Sequence, residues 1–162
     1  MVDLVHQSVA AQIGAADPAA SAPGVAVRVV DPGAVFLVSP PPADLAPNAV
    51  RGDGPRWLWL APDHALLVGA AAAPEGFVSD LSDGLASFDI IGPRAAEIVA
   101  MGGTLDPHGD VLAPGHCAQT LFAGVKVVLY AHGSPQHFRL HAERSLAAYL
   151  LVWFTQAVSA LQ

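Results

Sequence analysis

The stretch that most constrains this chain runs from residue 108 to residue 130. Pro114 and Gly115 punctuate its entry, Cys117 to Phe122 form one apolar arm, Ala123 and Gly124 supply a turn, and Val125 to Tyr130 return as a β-branched run. This pattern predicts an antiparallel hairpin in the middle of a core. Periodicity and composition alone lead from there to a compact, apolar α+β domain and no further.

The elements around the hairpin follow from similar signals. Leu4, Val5, Val9 and Ile13 are spaced for a short amphipathic helix, and residues 14–24, rich in alanine, proline and glycine, read as a flexible linker. Residues 1–24 are thus expected to be an appendage, and residues 25–162 a single domain. Val25 to Val30 and Ala34 to Val38 flank Asp31-Pro32-Gly33 and predict a first hairpin. Residues 39–56, dense in proline and polar turn formers, predict an extended loop. Trp57 to Leu60 and Ala65 to Gly69 flank a proline-containing turn and predict a second hairpin. Residues 86–91 read as a strand that turns at Gly92-Pro93 into a helix over Arg94 to Met101, stopped by Gly102-Gly103. A last strand centres on Phe138 to Leu140, where alternation puts His137, Arg139 and His141 on one face as a polar stripe. Ser145 then stands as the cap of a helix whose Leu146, Tyr149, Leu150, Trp153, Phe154, Ala157 and Leu161 make an apolar face wide enough to cover a sheet. The expected fold is α+β, a mostly antiparallel sheet with a few covering helices.

Charge excludes one class of partner. Seven basic residues stand against fourteen acidic ones, for a net charge of −7, and no Lys/Arg cluster offers a footprint for a phosphate backbone, so nucleic acid is not expected. The start, Met1-Val2-Asp3-Leu4, lacks a basic region followed by a long apolar run, and no uncharged stretch approaches the roughly 18 apolar residues of a membrane span. With one cysteine and no disulfide framework, the expectation is a cytoplasmic protein without a membrane segment. Charged residues make up only 13% of the chain, against about 25% in typical soluble domains. Abundant alanine accounts for part of this; permanent cover of the surface by another protein is the favoured account of the rest.

Candidate chemistry is sparse. His116 and Cys117 are adjacent on a strand and point to opposite faces, so the histidine cannot serve the thiol as a base, and Cys117 reads as a buried structural residue. His137 and His141 share a face, but four strand residues separate them by roughly 13 Å, too far to share a metal. Asp80, Asp83 and Asp89 offer carboxylates without a partner at a defining spacing, and Asp89, opposite the face of Phe88 and Ile90, reads as solvated. Gly102-Gly103 follows a helix instead of opening one, the wrong context for a dinucleotide fingerprint. Trp57 and Trp59 share a strand face and read as core or interface anchors.

The order of several motifs resembles the gamma subunit of heterotetrameric sarcosine oxidase. They are Trp57-Leu58-Trp59-Leu60-Ala61-Pro62-Asp63-His64, Asp80-Leu81-Ser82-Asp83-Gly84, Ile91-Gly92-Pro93-Arg94-Ala95, Gly115-His116-Cys117-Ala118-Gln119-Thr120 and Arg144-Ser145-Leu146-Ala147-Ala148-Tyr149. The resemblance runs from about residue 25 to the C-terminus. It implies a fold similar to the folate-binding domain of the glycine-cleavage aminomethyltransferases. It further implies a noncatalytic structural subunit of a complex that oxidatively demethylates sarcosine or a related secondary amino acid, passing the one-carbon unit to tetrahydrofolate. FAD, FMN, NAD, tetrahydrofolate and zinc are then expected in larger flavin-binding and folate-binding partner subunits and their small companion. No catalytic, cofactor or metal residue is carried over to this chain. The chain is a shortened variant: two helices usual in the family are replaced by the short intervals Ser39 to Ala46 and Ala70 to Ser79, so sheet surface is expected to stand open for a partner. The alternative is a free-standing folate-binding one-carbon transfer protein with Asp83 or Asp89 as its acid.

Overall fold

The computed structural model describes residues 8–162. Two antiparallel sheets stack face to face, and helices cover the far side of the first. The first sheet holds six strands in the order β1-β2-β8-β11-β10-β9: β1 (Ala20–Ala22), β2 (Val25–Val30), β8 (Leu85–Ile91), β9 (Cys117–Phe122), β10 (Val125–Ser134) and β11 (His137–Glu143). The second holds five in the order β4-β5-β6-β3-β7: β3 (Ala34–Ser39), β4 (Val50–Arg51), β5 (Arg56–Ala61), β6 (His64–Ala70) and β7 (Phe77–Asp80). Three helices, α1 (Val9–Ile13), α2 (Ala95–Gly102) and α3 (Ala147–Ser159), complete the described chain together with two 3₁₀ turns.

The central hairpin forms as the sequence predicts. Ala123 and Gly124 both adopt positive φ, 50° and 79°, the two-residue turn geometry that matches the twist of the flanking strands. Phe122 pairs with Val125, and the register runs unbroken to Cys117 opposite Tyr130. The second expected hairpin is present as β5 and β6, paired from Arg56 opposite Val68 to Ala61 opposite His64.

The first expected hairpin is not. β2 pairs with β1 and β8 in the first sheet, whereas β3 pairs with β6 and β7 in the second. Asp31-Pro32-Gly33 is a corner: the Asp31 side chain accepts from the Gly33 amide at 2.9 Å, Gly33 takes φ 72°, and the chain passes from one layer to the other. Local turn chemistry is the same for a hairpin and a crossing, so the residues alone could not separate them.

Three further expectations change. Within the expected linker, Ala20–Ala22 is an edge strand paired with β2, and α1 lies against β2 and α3. Edge pairing needs only backbone groups, which alanine and serine supply as well as any residue. Leu4 and Val5 of the expected first helix lie outside the described residues. Ser145 makes no cap; it sits in a 3₁₀ turn, Arg144–Leu146, and α3 begins at Ala147 with Leu146 at its N-cap. The interval 70–79 also ends in an unforeseen strand, β7, although neither it nor residues 39–46 contains a helix, as expected.

Alternation sorts the first sheet into two chemistries. Phe88 and Ile90 of β8, Phe138 and Leu140 of β11, and Val127 and Leu129 of β10 face α2 and α3, where they bury with Ile98, Val99, Leu150, Phe154 and Val158. The opposite face meets the second sheet, with Cys117 and Tyr130 packed against Val35, Leu58, Leu66 and Val68. The outer face of the second sheet carries Phe36, Val38 and Leu67 with Trp57 and Val78 against them. The helices of the described residues pack on the first sheet instead.

Candidate functional site

The buried polar side chains among the described residues, Ser87, Asp89 and His141, gather in the layer between the sheets. β8 and β11 are direct neighbours, with Asp89 opposite Arg139 and Ser87 opposite His141. All four residues point away from the helices, because Phe88, Ile90, Phe138 and Leu140 take the other face. The expected stripe of His137, Arg139 and His141 is therefore real. The expected exposure of Asp89 is not: it retains 4% of its accessible surface. What faces it is a second sheet, not water.

Arg139 grips Asp89 with two parallel hydrogen bonds, Nε to Oδ1 at 2.6 Å and Nη2 to Oδ2 at 2.7 Å, the fork geometry that guanidinium and carboxylate share. His137 Nε2 lies 3.0 Å from Asp89 Oδ2, within ion-pair distance but off the direction of a good hydrogen bond. Burial opposes the charge on Asp89, yet the contacts with Arg139 and His137 outweigh it and hold the carboxyl far below the usual range. Burial also opposes the charge on Arg139, and its bonds to Asp89 more than restore it. The pair is ionised and locked.

Three aromatic polar groups extend the cluster. Ser87 Oγ is 2.7 Å from His141 Nδ1, and the Tyr130 hydroxyl is 3.4 Å from His141 Nε2. Burial pushes the His141 pKa down to about 3 and that of Tyr130 up to about 12, so both are neutral at physiological pH. His132, in β10 beyond Tyr130, stacks edge-on with His137 at 4.7 Å between ring centroids. Its Nδ1 is buried without a hydrogen-bond partner. Burial, then the charges of Arg139 and Arg56, push its pKa down to about 4. Arg56 enters from the second sheet: it lies opposite Val68, a residue of the inter-sheet core, and is partly buried on that same face.

The other candidates stand apart. Cys117 is buried, donates weakly to the carbonyls of Trp59 and Ala49 at 3.4 and 3.5 Å, and is pushed up to about 11 by burial, which makes it a poor nucleophile. His116 is exposed on the neighbouring turn. Asp80 is exposed and serves its own loop, accepting from the Ser82 amide at 2.9 Å. Asp83 is exposed 3.7 Å from Arg144. Trp57 and Trp59 are half-buried on the outer face of the second sheet. Among the described residues no three histidine, cysteine, aspartate or glutamate side chains converge as metal ligands, His137 and His141 included. A groove of about 590 Å³ opens at the other end of the inter-sheet face, lined by Leu85, Gln119, Leu121, Lys126, Val128 and Glu143, with His141 also on its wall.

Sequence reading missed Ser87, Tyr130, His132 and Arg56 as members of this cluster. The signal available was parity. Ser87 and Asp89 share one face of a strand whose other face is wholly apolar, as do His137, Arg139 and His141, and two such strands become complementary once paired. Arg56 and His132 carry no such signal, because their approach depends on how the sheets stack.

No family model matches this sequence, and no curated protein matches it. Among solved structures, a chain of the heterotetrameric sarcosine oxidase from Corynebacterium sp. U-96, determined in complex with pyrrole 2-carboxylate, matches with a TM-score of 0.83 and 24% identity. The match covers 96% of this chain and 95% of that one. From its first sheet to its last helix, the chain has the α+β fold of a chain of that oxidase.

Proposed function

We propose that this chain is a noncatalytic structural subunit of a cytoplasmic, flavin-dependent complex that oxidatively demethylates sarcosine or a related secondary amino acid and passes the one-carbon unit to tetrahydrofolate. The observation that carries the reading is the near end-to-end match in fold to a chain of a heterotetrameric sarcosine oxidase, joined to the ordered motifs from Trp57 to Tyr149. The inner chemistry agrees with a structural role. Asp89 is held on both oxygens by Arg139, Cys117 is a buried thiol, and the Ser87 hydroxyl that meets His141 is buried along with it between the sheets. Flavins, nicotinamide, folate and zinc then belong to partner subunits.

The surface fits a subunit as well. Leu121 is 55% exposed beside the groove and Phe77 83% exposed on the edge strand β7, while Trp57 and Trp59 look outward from the second sheet. Apolar side chains so placed gain from cover by another chain. The free-standing folate-binding alternative needs an available acid. Asp89 is neutralised by its ion pair and Asp83 lies on the outer surface beside Arg144, so neither serves.

Purification of the tagged chain from its native host tests the proposal. Co-purification with larger chains in a yellow, flavin-absorbing assembly that oxidises sarcosine or another secondary amino acid is the expected result. A colourless, homogeneous protein free of larger chains would overturn it, and folate titration of that protein would then decide the alternative.

A further inference from the structure

The edges of the two sheets are not alike. β4 and β9 meet across the layers through the bonds from Cys117 N to Asn48 O and from Val50 N to Gly115 O. β1 holds only three residues, stands between Pro18 and Pro23, and lies beside α3. β7 has none of this protection among the described residues. Its one strand neighbour is β3, and Phe77–Asp80 contains no proline, no lysine and no bulge. Natural edges carry such devices because an open row of backbone groups pairs with an extended chain that meets it.

The register says which groups are open. Leu81 N donates to Val35 O at 2.8 Å, continuing the pairing that sets Ser79 opposite Leu37 and Phe77 opposite Ser39. Bonded positions alternate along an antiparallel pair. Phe77 and Ser79 therefore turn their N–H and C=O to β3, while those of Val78 and Asp80 point outward. At the head of this edge Phe77 is 83% exposed, the most exposed large apolar side chain among the described residues. The flanks are acidic. Glu75 and Asp80 are exposed and in no ion pair among the described residues, and no lysine or arginine occurs in residues 57–93.

We propose that β7 is a docking edge, at which an extended segment of a partner subunit adds a further strand to the second sheet. The outward groups of Val78 and Asp80 supply the backbone bonds, an apolar side chain of the segment lies against Phe77, and its lysine or arginine side chains face Glu75 and Asp80. A second copy of this chain is the wrong occupant, because antiparallel pairing of β7 with itself sets Asp80 of each copy beside Glu75 of the other. The proposal rests on membership in a complex and names the edge by which the chain is held.

The test uses the assembly purified from the native host on the tagged full-length chain, read by residue-resolved amide exchange. The expected result is that the Val78 and Asp80 amides exchange within about tenfold of the Ser79 amide, which β3 already protects. Phe77→Lys lies outside the core and sets a like charge before the basic segment, so it should weaken retention of the larger chains by at least about tenfold. Glu75→Arg should act in the same direction. An assembly whose Val78 and Asp80 amides exchange more than about tenfold faster than that of Ser79, or whose cohesion neither substitution changes, would overturn the docking edge while leaving the subunit role standing. A chain that purifies alone would overturn both.

Discussion

Asp89 decides the fate of the inter-sheet layer. Its removal strands Arg139 as a buried cation, and breaking one side of a buried pair costs about 3 to 5 kcal/mol. Asp89→Asn is therefore expected to lower unfolding stability by that amount in denaturant titration. Asp83→Asn, at an exposed carboxylate, should change it by no more than about 0.5 kcal/mol. His141 sets the pH response. Its folded pKa, about 3, lies below the ordinary value near 6.5, so the unfolded chain takes up a proton that the folded chain refuses. Stability is fully present above about pH 6.5 and falls as pH drops from there toward 3, by about 1.4 kcal/mol per pH unit for this one group. His132, at about 4, adds in the same direction over a narrower window, and Asp89 adds its own loss only below the ordinary carboxylate range. Stability measured at pH 7, 6, 5 and 4.5 should show this decline. A His141→Gln chain that still folds should show a shallower one. Nothing in the sequence around Asp89 announces its burial. A lone acid in an alternating strand reads as solvent-facing until a second layer is known to lie there.

Elements were legible where the signal was local. The β9–β10 hairpin and the β5–β6 hairpin follow from apolar arms meeting at a two-residue turn, and α2 and α3 from apolar spacing and a glycine stop. Partners across space were not legible, as at Asp31-Pro32-Gly33, where identical turn chemistry serves a crossing between layers. Nor was β7, whose four residues pair at an edge with little periodic content. Packing adds demands that spacing does not reveal. Gly102, at the end of α2, has no unusual φ, yet a Cβ there would come within 2.4 Å of the Phe122 ring. That ring is buried against Trp153 and Phe154 at centroid distances of 4.9 and 5.4 Å and cannot retreat. Gly102→Ala is expected to cost about 1 to 3 kcal/mol by overpacking, measurable as a lowered midpoint in thermal or chemical unfolding. The glycine that reads as a helix stop also makes room for a phenyl ring.

At the scale of the molecule, the two sheets are stitched along both sides. On one side the chain crosses from β2 to β3 and from β7 to β8. On the other, backbone bonds span the layers: Cys117 N donates to Asn48 O and Val50 N to Gly115 O, each at 2.8 Å. The Gln119 side chain adds a bond to Leu60 O at 2.6 Å. Such seams make the layers one mechanical body. Sliding of one sheet over the other would break backbone bonds at the seam and corners at the crossings in the same motion, so no partial opening is cheap. Amide exchange gives this a direct reading. The Val50 and Cys117 protons, although one sits in a two-residue strand, should exchange as slowly as those in the middle of β10 and β11, and at the rate of global unfolding. Exchange at Val50 many-fold faster than at Leu129 would mean that the layers part on their own. If the amides exchange together, access to the space between the sheets is confined to the ends of the strands, and the width of those two mouths is set by the fold and not by any guest.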